Sequence, residues 1–273
     1  MTNSRLTESL LALTLVWPVG NACAQFDDQH TTWTSVLAKH LVLIDGGKAS
    51  QLRYGGLAKD RAALKSNLDT IAQVSEKEFR AWSKPQQLAF LINAYNAHMV
   101  ELVLTRYPNI DSVWDFGKLL NNPFKKKFFK LFGRDYSLHL IEHDTIRAKG
   151  AYDEPRIHFA VNCASVGCPM LRNEAYLAER IDAQLEDQTR RFLSDRTRNR
   201  YNPQANVLEV SEIFKWYRAD FEAGYQGIRS PSEFFARYAA QLADAPEHQK
   251  VVRDGKAEIR YLDYDWKLNN RGS

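Results

Sequence analysis

The spacing of apolar residues along the first part of the chain predicts helices. Apolar positions recur on one face over residues 27–44 and again over residues 57–71, and residues 75–78 have the composition of a capping box. Residues 85–106 are apolar around most of the helical circumference. A helix of this kind buries all its faces, so we expect it to lie at the centre of the fold.

The second part of the chain mixes short strand patterns with helices. Residues 156–161 (RIHFAV) form a nearly continuous apolar run, which predicts a buried strand. The other predicted elements are strands over 136–138, 207–210 and 257–262 and helices over 139–149, 177–192, 213–221 and 230–242. We therefore predict one α+β domain over residues 25–273, mainly helical, with a small, mostly antiparallel sheet.

Composition narrows the class of protein. The chain has 273 residues, of which 44% are apolar and 26% are charged. These proportions are typical of a globular protein and exclude collagen-like, low-complexity and wholly disordered chains. The formal net charge of +4 is too small to indicate a nucleic-acid partner, and we expect none.

The first 24 residues have the pattern of a secretory signal peptide. Arg5 gives a positive start, residues 10–19 form an apolar run, and residues 22–24 (ACA) are a small-residue cleavage site. The apolar run is too short to span a bilayer. Acylation of Cys23, as in a lipoprotein, is disfavoured by Gly20 three positions earlier. We expect cleavage after residue 24 and a periplasmic or secreted product without a membrane-spanning segment.

Removal of the signal peptide leaves two cysteines, Cys163 and Cys168, in a turn-rich loop. Export permits a disulfide, and their short spacing allows the geometry that a disulfide requires. The pair is therefore a local bridge, a redox or metal-binding pair, or a reactive thiol with a neighbour. The sequence leaves these alternatives open.

Four segments together resemble a known family. They are LAFLINAYNAHMVELVL (88–104), YSLHLIEHDTIR (136–147), EPRIHFAVNCASVGCPMLR (154–172) and SEIFKWYRADF (211–221). In order and spacing they resemble the domain-of-unknown-function family 547, over residues 80–221. The resemblance implies a fold similar to the papain-like and transglutaminase-like cysteine enzymes. It also implies that Cys163, the position of the family's characteristic cysteine, matters more for chemistry than Cys168.

A cysteine attacks only as the thiolate, so it needs a nearby base or cation. Cys163 follows the predicted strand 156–161 and lies among small residues whose backbone amides can stabilise an oxyanion. On a regular strand His158 would point to the opposite face from Cys163. We therefore predict His143 as the base, with Glu142 to orient it and His158 as the alternative base.

Four polar side chains are candidates for substrate binding. Asn93 and Asn96 lie on the predicted central helix, where each either faces the cleft or ties neighbouring backbone. Arg147 and Arg156 flank the predicted site, and an arginine binds a carboxylate through two hydrogen bonds. The alternative for Arg156 is a structural ion pair with an acidic residue of segment 142–144.

The segment from His139 to His143 has the H-x-x-E-H pattern of one class of zinc peptidases. That class carries the pattern on a long helix with a third ligand further along, whereas this segment is short. A mixed site that adds His158 and the two cysteines has suitable ligand types but no standard spacing. We expect neither a metal ion nor an organic cofactor.

These residues favour an exported cysteine-dependent hydrolase or acyl transferase that acts on amide or thioester bonds of a peptide or small-molecule substrate. The alternative is a non-catalytic binding module whose pocket is held by a Cys163–Cys168 disulfide, and a third is a zinc-dependent hydrolase. The basic and aromatic run FKKKFFKLFGR (124–134) is expected to be a solvated segment that its phenylalanines anchor to the core.

Overall fold

The computed structural model describes residues 26–118 and 121–272. The predicted signal peptide, residues 1–24, lies outside the described residues. The α-helices within these ranges are α1 (Thr31–His40), α2 (Tyr54–Lys59), α3 (Arg61–Gln73), α4 (Glu76–Ala81), α5 (Lys84–Leu104), α6 (Ile181–Leu193), α7 (Ile213–Trp216), α8 (Arg218–Glu222), α9 (Pro231–Arg237), α10 (Ala239–Leu242) and α11 (Pro246–Arg253).

Short strands pair into three small sheets in the described part of the chain. The strands are β1 (Leu41–Ile44), β2 (Ala49–Leu52), β3 (Phe129–Leu131), β4 (Arg134–Tyr136), β5 (Arg200–Asn202), β6 (Val207–Ser211) and β7 (Glu258–Leu262). The pairs β1–β2, β3–β4 and β5–β6 are antiparallel, whereas β6–β7 is parallel. The α+β class with mostly antiparallel pairing is confirmed.

Helix α5 runs through the first hydrophobic core, as its apolar circumference predicts. The Ser83 hydroxyl accepts a hydrogen bond from the Gln86 N–H, and the Gln86 side chain accepts one from the Ser83 N–H, so the helix begins with a capping box. Every residue from Gln87 to Leu104 is buried. Neither α5 nor any other helix of the described residues combines the length and apolarity needed to cross a membrane.

The helix predicted over residues 27–44 ends early. Helix α1 stops at His40, and the next four residues form β1, which pairs with β2 in the register of Leu41 with Leu52. The segment LVLI contains the β-branched residues Val42 and Ile44, which favour extended backbone. Hydrogen bonding to a partner strand outweighs the helical periodicity, so the helix prediction for these residues was wrong.

The strand predicted over residues 156–161 is also wrong. Residues Pro155–Phe159 form a 3₁₀-helix that the Glu154 carboxylate caps. The run is apolar on all sides because it lies between two cores, with Ile157 packed into the first and Phe159 into the second. A continuous apolar run does not by itself distinguish a buried strand from a short buried helix.

The second core fills the C-terminal half of the described chain. Phe159 is its hub, since the Phe159 ring centroid lies 5.2 to 6.0 Å from those of Phe192, Phe214, Phe221 and Phe234. These rings come from α6, α7, α8 and α9, and such aromatic pairs add to the stabilisation from burial. Helices α7 and α8 are thereby fixed against the 3₁₀-helix.

The basic and aromatic run 124–134 ends in the β3–β4 hairpin. Its phenylalanines are partly buried against the first core, and its lysines are exposed. The prediction of a solvated segment anchored by phenylalanine is confirmed.

A C-terminal strap, residues 264–271, crosses the loop that carries both cysteines. The Gly167 N–H donates to the Asp265 carbonyl at 2.8 Å. The two segments are so close that a Cβ at Gly167 would lie 3.0 Å from the Asp265 backbone and 3.0 Å from the Tyr264 ring. Glycine at this position therefore lets the strap bring Tyr264 and Trp266 beside the cysteines.

Helix α5 buries a histidine that makes the fold sensitive to acid. The His98 ring stacks on Phe129 with centroids 3.6 Å apart, and its Nε2 has no hydrogen-bond partner among the described residues. Burial lowers the pKa of His98 to about 3, and the Lys65 charge adds to the effect. The unfolded chain binds this proton near pH 6.5, so the stability is complete above that pH and falls as the pH drops towards 3.

We expect His98 alone to lower the free energy of unfolding by about 3 kcal/mol between pH 7 and pH 4. Urea unfolding across this range measures the effect. The His98→Phe variant should lack this part of the fall, whereas His248→Gln, at a half-buried site, should keep it. An identical pH dependence in His98→Phe and in the native protein would contradict the assignment.

Candidate functional site

The cysteine loop, residues 162–169, is held by the side chain of its first residue. Asn162 Oδ1 accepts the Ala164 N–H at 2.9 Å, and Asn162 Nδ2 donates to the Pro169 carbonyl at 2.8 Å. Ala164 has a φ of 61°, in the left-handed region that favours glycine. The asparagine turn stabilises this conformation, so the backbone around Cys163 is fixed from within the loop.

The two cysteines contact each other and two hydroxyl groups. The Cys163 N–H donates to Cys168 Sγ at 2.9 Å, and Cys163 Sγ lies 3.1 Å from both Ser165 Oγ and Tyr264 Oη. The Ser165 hydroxyl donates to Tyr264 Oη at 3.0 Å. Both cysteines are free. Cys163 is half-buried and Cys168 is only 6% exposed, so Cys163 is the more accessible thiol.

One thiol of the pair is acidic. Burial raises the pKa of Cys168, but hydrogen bonds from the Cys163 thiol, the Tyr264 hydroxyl and the Cys163 N–H lower it to about 7. Burial and the neighbouring Cys168 raise the pKa of Cys163 well above its usual range. Burial also raises the pKa of Tyr264, so its hydroxyl remains a donor. The pair therefore loses one proton near neutrality and retains the other.

A distorted helix, Leu140–Ile146, places polar side chains on the same cavity. His139 stacks on His143 with ring centroids 4.3 Å apart. His143 Nδ1 accepts a hydrogen bond from Arg147, and His143 Nε2 is 3.8 Å from Glu142 Oε1. Burial lowers the pKa of His143. The Glu142 charge raises this pKa in part, and the Arg147 charge lowers it further. The ring is therefore neutral at pH 7, with its acceptor nitrogen occupied.

The second imidazole is oriented by a carboxylate. His158 Nε2 lies 2.7 Å from Asp220 Oδ2, and the ring stacks on Tyr217 with centroids 3.7 Å apart. An ionised carboxylate only accepts, so Nε2 carries the proton and Nδ1 keeps its lone pair. This Nδ1 is buried and has no hydrogen-bond partner among the described residues, so a substrate or water must enter the cavity to reach it. Burial lowers the pKa of His158 although the bond to Asp220 opposes this, and the result is an oriented neutral base.

Asp220 joins this imidazole to Arg147. The Arg147 guanidinium donates to both carboxylate oxygens, at 2.6 and 3.1 Å. Burial raises the pKa of Asp220, but the hydrogen bonds from His158 and Arg147 lower it far below its usual range. Asp220 is therefore an ionised carboxylate shared by two side chains of the site.

One cavity of 430 Å³ brings these groups together. The predicted residues that line it are Glu142, His143, Arg147, His158, Cys163 and Cys168. Its volume is within the range of small-molecule sites. The Cys163 thiol contacts hydroxyl groups rather than the imidazole of His143, so the predicted nucleophile and base share a cavity without a hydrogen bond between them.

The two asparagines of α5 lie elsewhere and support backbone. Asn96 donates to the Ala160 carbonyl at 2.9 Å and accepts the Asn162 N–H at 2.8 Å. Asn93 makes the same pair of bonds to the Tyr176 backbone, at 2.8 and 3.0 Å. Both asparagines therefore bind neighbouring backbone and do not face the cavity. Asn96 holds the start of the cysteine loop.

Loss of the Asn96 amide should weaken the fold. The Asn96→Ala variant leaves a buried N–H and a buried carbonyl without partners, which should cost about 2–4 kcal/mol of unfolding free energy. Equilibrium urea unfolding measures the loss. The matched control is Asn109→Ala, at an exposed position, which should leave the stability unchanged. A loss below about 1 kcal/mol would show that the loop does not depend on Asn96.

Arg156 also lies outside this cavity. Its guanidinium donates to the Glu154 carboxylate at 2.7 Å and to Asp182 at 2.6 Å, and it lies over the Tyr225 ring. Arg156 is therefore in a structural ion pair, although its acidic partners are not those of segment 142–144 that the sequence predicts. Arg156 joins the 3₁₀-helix to α6.

Three further residues of the site were not predicted. Tyr217 and Asp220 lie in segment 211–221, and only the aromatic and acidic composition of this segment could have indicated them. Tyr264 comes from the C-terminal strap, 101 positions from Cys163, and no local pattern marks it.

The zinc alternative lacks a set of ligands in the part of the chain that the structure describes. No group of three or more His, Cys, Asp and Glu side chains there is arranged to hold a metal ion. His139 and His143 stack with their planes 26° apart, and stacked rings do not direct their nitrogens at a common point.

Comparison with protein families gives one match. Residues 79–193 match the family described as "Protein of unknown function, DUF547". The match includes all of α5 and all of the cysteine loop, whereas Asp220 and Tyr264 lie beyond it. Neither the curated proteins nor the solved structures yield a match to the chain. The family resemblance is confirmed over residues 79–193, whereas the segment 211–221 lies beyond the match. The papain-like or transglutaminase-like fold stays a prediction.

Proposed function

We propose that this protein, whose residues 79–193 match the DUF547 family, is a cysteine-dependent hydrolase or acyl transferase that acts on amide or thioester bonds. The observation that carries the proposal is an acidic thiol pair in a cavity that also holds an oriented imidazole. A pKa of about 7 at Cys168 suits proton transfer at neutral pH. Cys163, the more accessible thiol, is the nucleophile.

Acylation uses both sulfurs. The Cys168 thiolate takes the proton of the Cys163 thiol as Cys163 Sγ forms a bond to the substrate carbonyl carbon. Collapse of the tetrahedral intermediate breaks the C–N or C–S bond of the substrate, and the Cys168 thiol returns the proton to the leaving amine or thiol. The acyl group remains as a thioester on Cys163.

The oxyanion of this step is stabilised by a side-chain hydroxyl. The N–H groups of Ala164, Val166 and Gly167 already donate within the loop or to the strap, so these amides are occupied. The Tyr264 hydroxyl lies at the Cys163 sulfur and its pKa is raised by burial, which keeps it protonated. It is therefore the donor for the developing charge.

Deacylation uses the oriented imidazole. His158 Nδ1 takes a proton from water, or from an acceptor alcohol or amine, as the oxygen or nitrogen bonds to the acyl carbon and the Cys163 thiolate leaves. Asp220 stabilises the resulting imidazolium, which returns its proton to the cysteine pair. His143 is the second choice because Arg147 occupies its Nδ1.

Trapping of the acyl-enzyme tests the proposal. The reduced protein is incubated with a panel of acyl thioesters and acyl anilides, and adducts are located by intact and peptide mass. We expect an acyl adduct on Cys163 that accumulates in His158→Gln, because deacylation is slowed, and that is absent from Cys163→Ala. The absence of any adduct in His158→Gln across the panel would contradict the proposal.

Export belongs to the same proposal. It is supported by the signal pattern of residues 1–24 in the sequence. N-terminal sequencing of protein recovered from the periplasm of a producing bacterium should begin at Gln25. Recovery from the cytoplasm with residues 1–24 intact would contradict export.

A binding module closed by a Cys163–Cys168 disulfide is the second candidate. It is favoured by the 2.9 Å contact between the Cys163 N–H and Cys168 Sγ, which places both residues at one point of the loop. In that case the Cys163→Ser/Cys168→Ser double variant loses stability rather than turnover. Urea unfolding with and without reductant, beside the acylation assay, separates the two candidates.

A further inference from the structure

We propose that the site selects an aromatic or bulky apolar acyl group, which packs on an aromatic wall beside Cys163. This inference rests on the proposed function for its covalent step. The aromatic wall comprises Trp114, Trp216, Tyr264 and Trp266, all of which line the cavity. Of these residues only Tyr264 has a part in the proposed mechanism, through its hydroxyl.

The wall begins at the reactive thiol. Tyr264 Oη lies 3.1 Å from Cys163 Sγ, and the Tyr264 ring centroid is 4.5 Å from that of Trp266 and 4.8 Å from that of Trp216. Trp114 extends the wall, with its ring centroid 5.0 Å from that of Trp266. The acyl group of a substrate bonded to Cys163 Sγ therefore lies next to the Tyr264 ring, and the rings of Trp216 and Trp266 follow directly.

Trp216 is the exposed part of the wall. It is 42% exposed, although it is among the largest apolar side chains, and its ring stacks on Trp266 with the planes 24° apart. The stacking fixes the indole in place while leaving it accessible. A rigid, exposed indole next to a cavity is a feature of binding surfaces, because burial of its face against an apolar ligand is favourable.

The wall is uncharged, because the charged side chains that line the cavity, Lys125, Glu142 and Arg147, are not part of it. A sugar needs several hydrogen-bond partners, but the wall offers only the Tyr264 hydroxyl, which the oxyanion of the proposed mechanism takes, and the indole N–H donors of the tryptophans. A neutral apolar or aromatic group satisfies these conditions.

Labelling rates test the preference without requiring a substrate. The fully reduced protein is treated at pH 7 with chloroacetamide and with N-benzylchloroacetamide, and each rate at Cys163 is divided by the rate with free cysteine. We expect the benzyl reagent to label Cys163 about 10-fold faster after this correction. The ratio should fall below about 3 in Trp216→Ala, return in Trp216→Phe, and stay at the native value in Leu43→Ala, an exposed control position.

Three results would overturn the inference: a corrected ratio near one in the native protein, a ratio that survives in Trp216→Ala, or faster labelling by an aminoethyl reagent. The proposed function can fail separately. A benzyl preference without any acyl adduct in His158→Gln would leave the apolar subsite in place and remove the acyl-transfer reaction. Adducts formed only from acetyl donors, with a ratio near one, would keep the reaction and remove the subsite.

Discussion

The Cys163→Ala variant is expected to lose turnover by about 10³-fold or more, because the acyl group then has no sulfur to which it can be transferred. The fold should be almost unaffected. The Ser165 and Tyr264 hydroxyls that contact Cys163 Sγ remain hydrogen-bonded to each other, so no buried polar group loses its last partner. Initial rates with the best acyl donor and a thermal unfolding scan measure the two quantities.

The Cys168→Ala variant is the matched comparison. It keeps the nucleophile but removes the base, so turnover should fall by about 10²-fold, and the increase in the reaction rate of Cys163 near pH 7 should disappear, because that increase follows the ionisation of Cys168. Retained turnover in Cys163→Ala would end the assignment of the nucleophile. Equal losses in both variants, together with a lowered melting temperature in each, would favour the disulfide-closed binding module.

The Asp220→Asn variant is expected to lower both turnover and stability. Turnover should fall by about 10²- to 10⁴-fold, because the neutral amide does not stabilise the protonated His158 and its NH₂ group can donate to Nε2, which reverses the tautomer. The Arg147 guanidinium also loses its partner, and breaking this partly buried pair should cost about 2–4 kcal/mol. Steady-state kinetics and urea unfolding measure the two losses. Unchanged turnover would remove His158 from the mechanism.

The same variant should change the response to acid. The folded state lowers the pKa of Asp220, so its contribution to stability is present above the unfolded pKa, near 3.9, and is lost as the pH falls through the folded value. Asp220→Asn should therefore lose less stability than the native protein when the pH is lowered below about 4. Asp144→Asn, at an exposed position near the same site, should behave like the native protein.

Local patterns predict those elements whose burial is uniform. Helix α5 is apolar around its circumference and is buried on every side, and the Ser75 hydroxyl accepts the Glu78 N–H as the capping pattern predicts. The segment 156–161 misleads because its side chains enter two different cores, so a continuous apolar run arises without a strand. Similarly, the local pattern places the residues of β1 in a helix, because the pairing with β2 that makes them a strand is not visible in that pattern.

The candidate site was predictable where its residues are close in sequence. The cysteine loop and the segment 139–147 are recognisable from their motifs, and both line the cavity. The choice between the two imidazoles was not predictable, because it depends on Asp220, 62 positions from His158. A strand would direct His158 away from Cys163, but the segment is a 3₁₀-helix, to which this alternation of side chains does not apply. The position of Tyr264 depends on the C-terminal strap, and the strap is held by hydrogen bonds to residues that are distant in sequence.

The central claim is that the cysteine pair carries a thiolate at neutral pH. The rate of iodoacetamide labelling of the reduced, folded protein, measured from pH 5 to pH 10 with the label located by mass, tests it most directly. We predict that the rate of labelling at Cys163 rises with a midpoint near the pKa of about 7 of Cys168, because the Cys168 thiolate takes the Cys163 proton as Cys163 Sγ is alkylated. Labelling that begins only above the ordinary thiol value of about 8.5, or no faster than in the unfolded protein, would contradict the account.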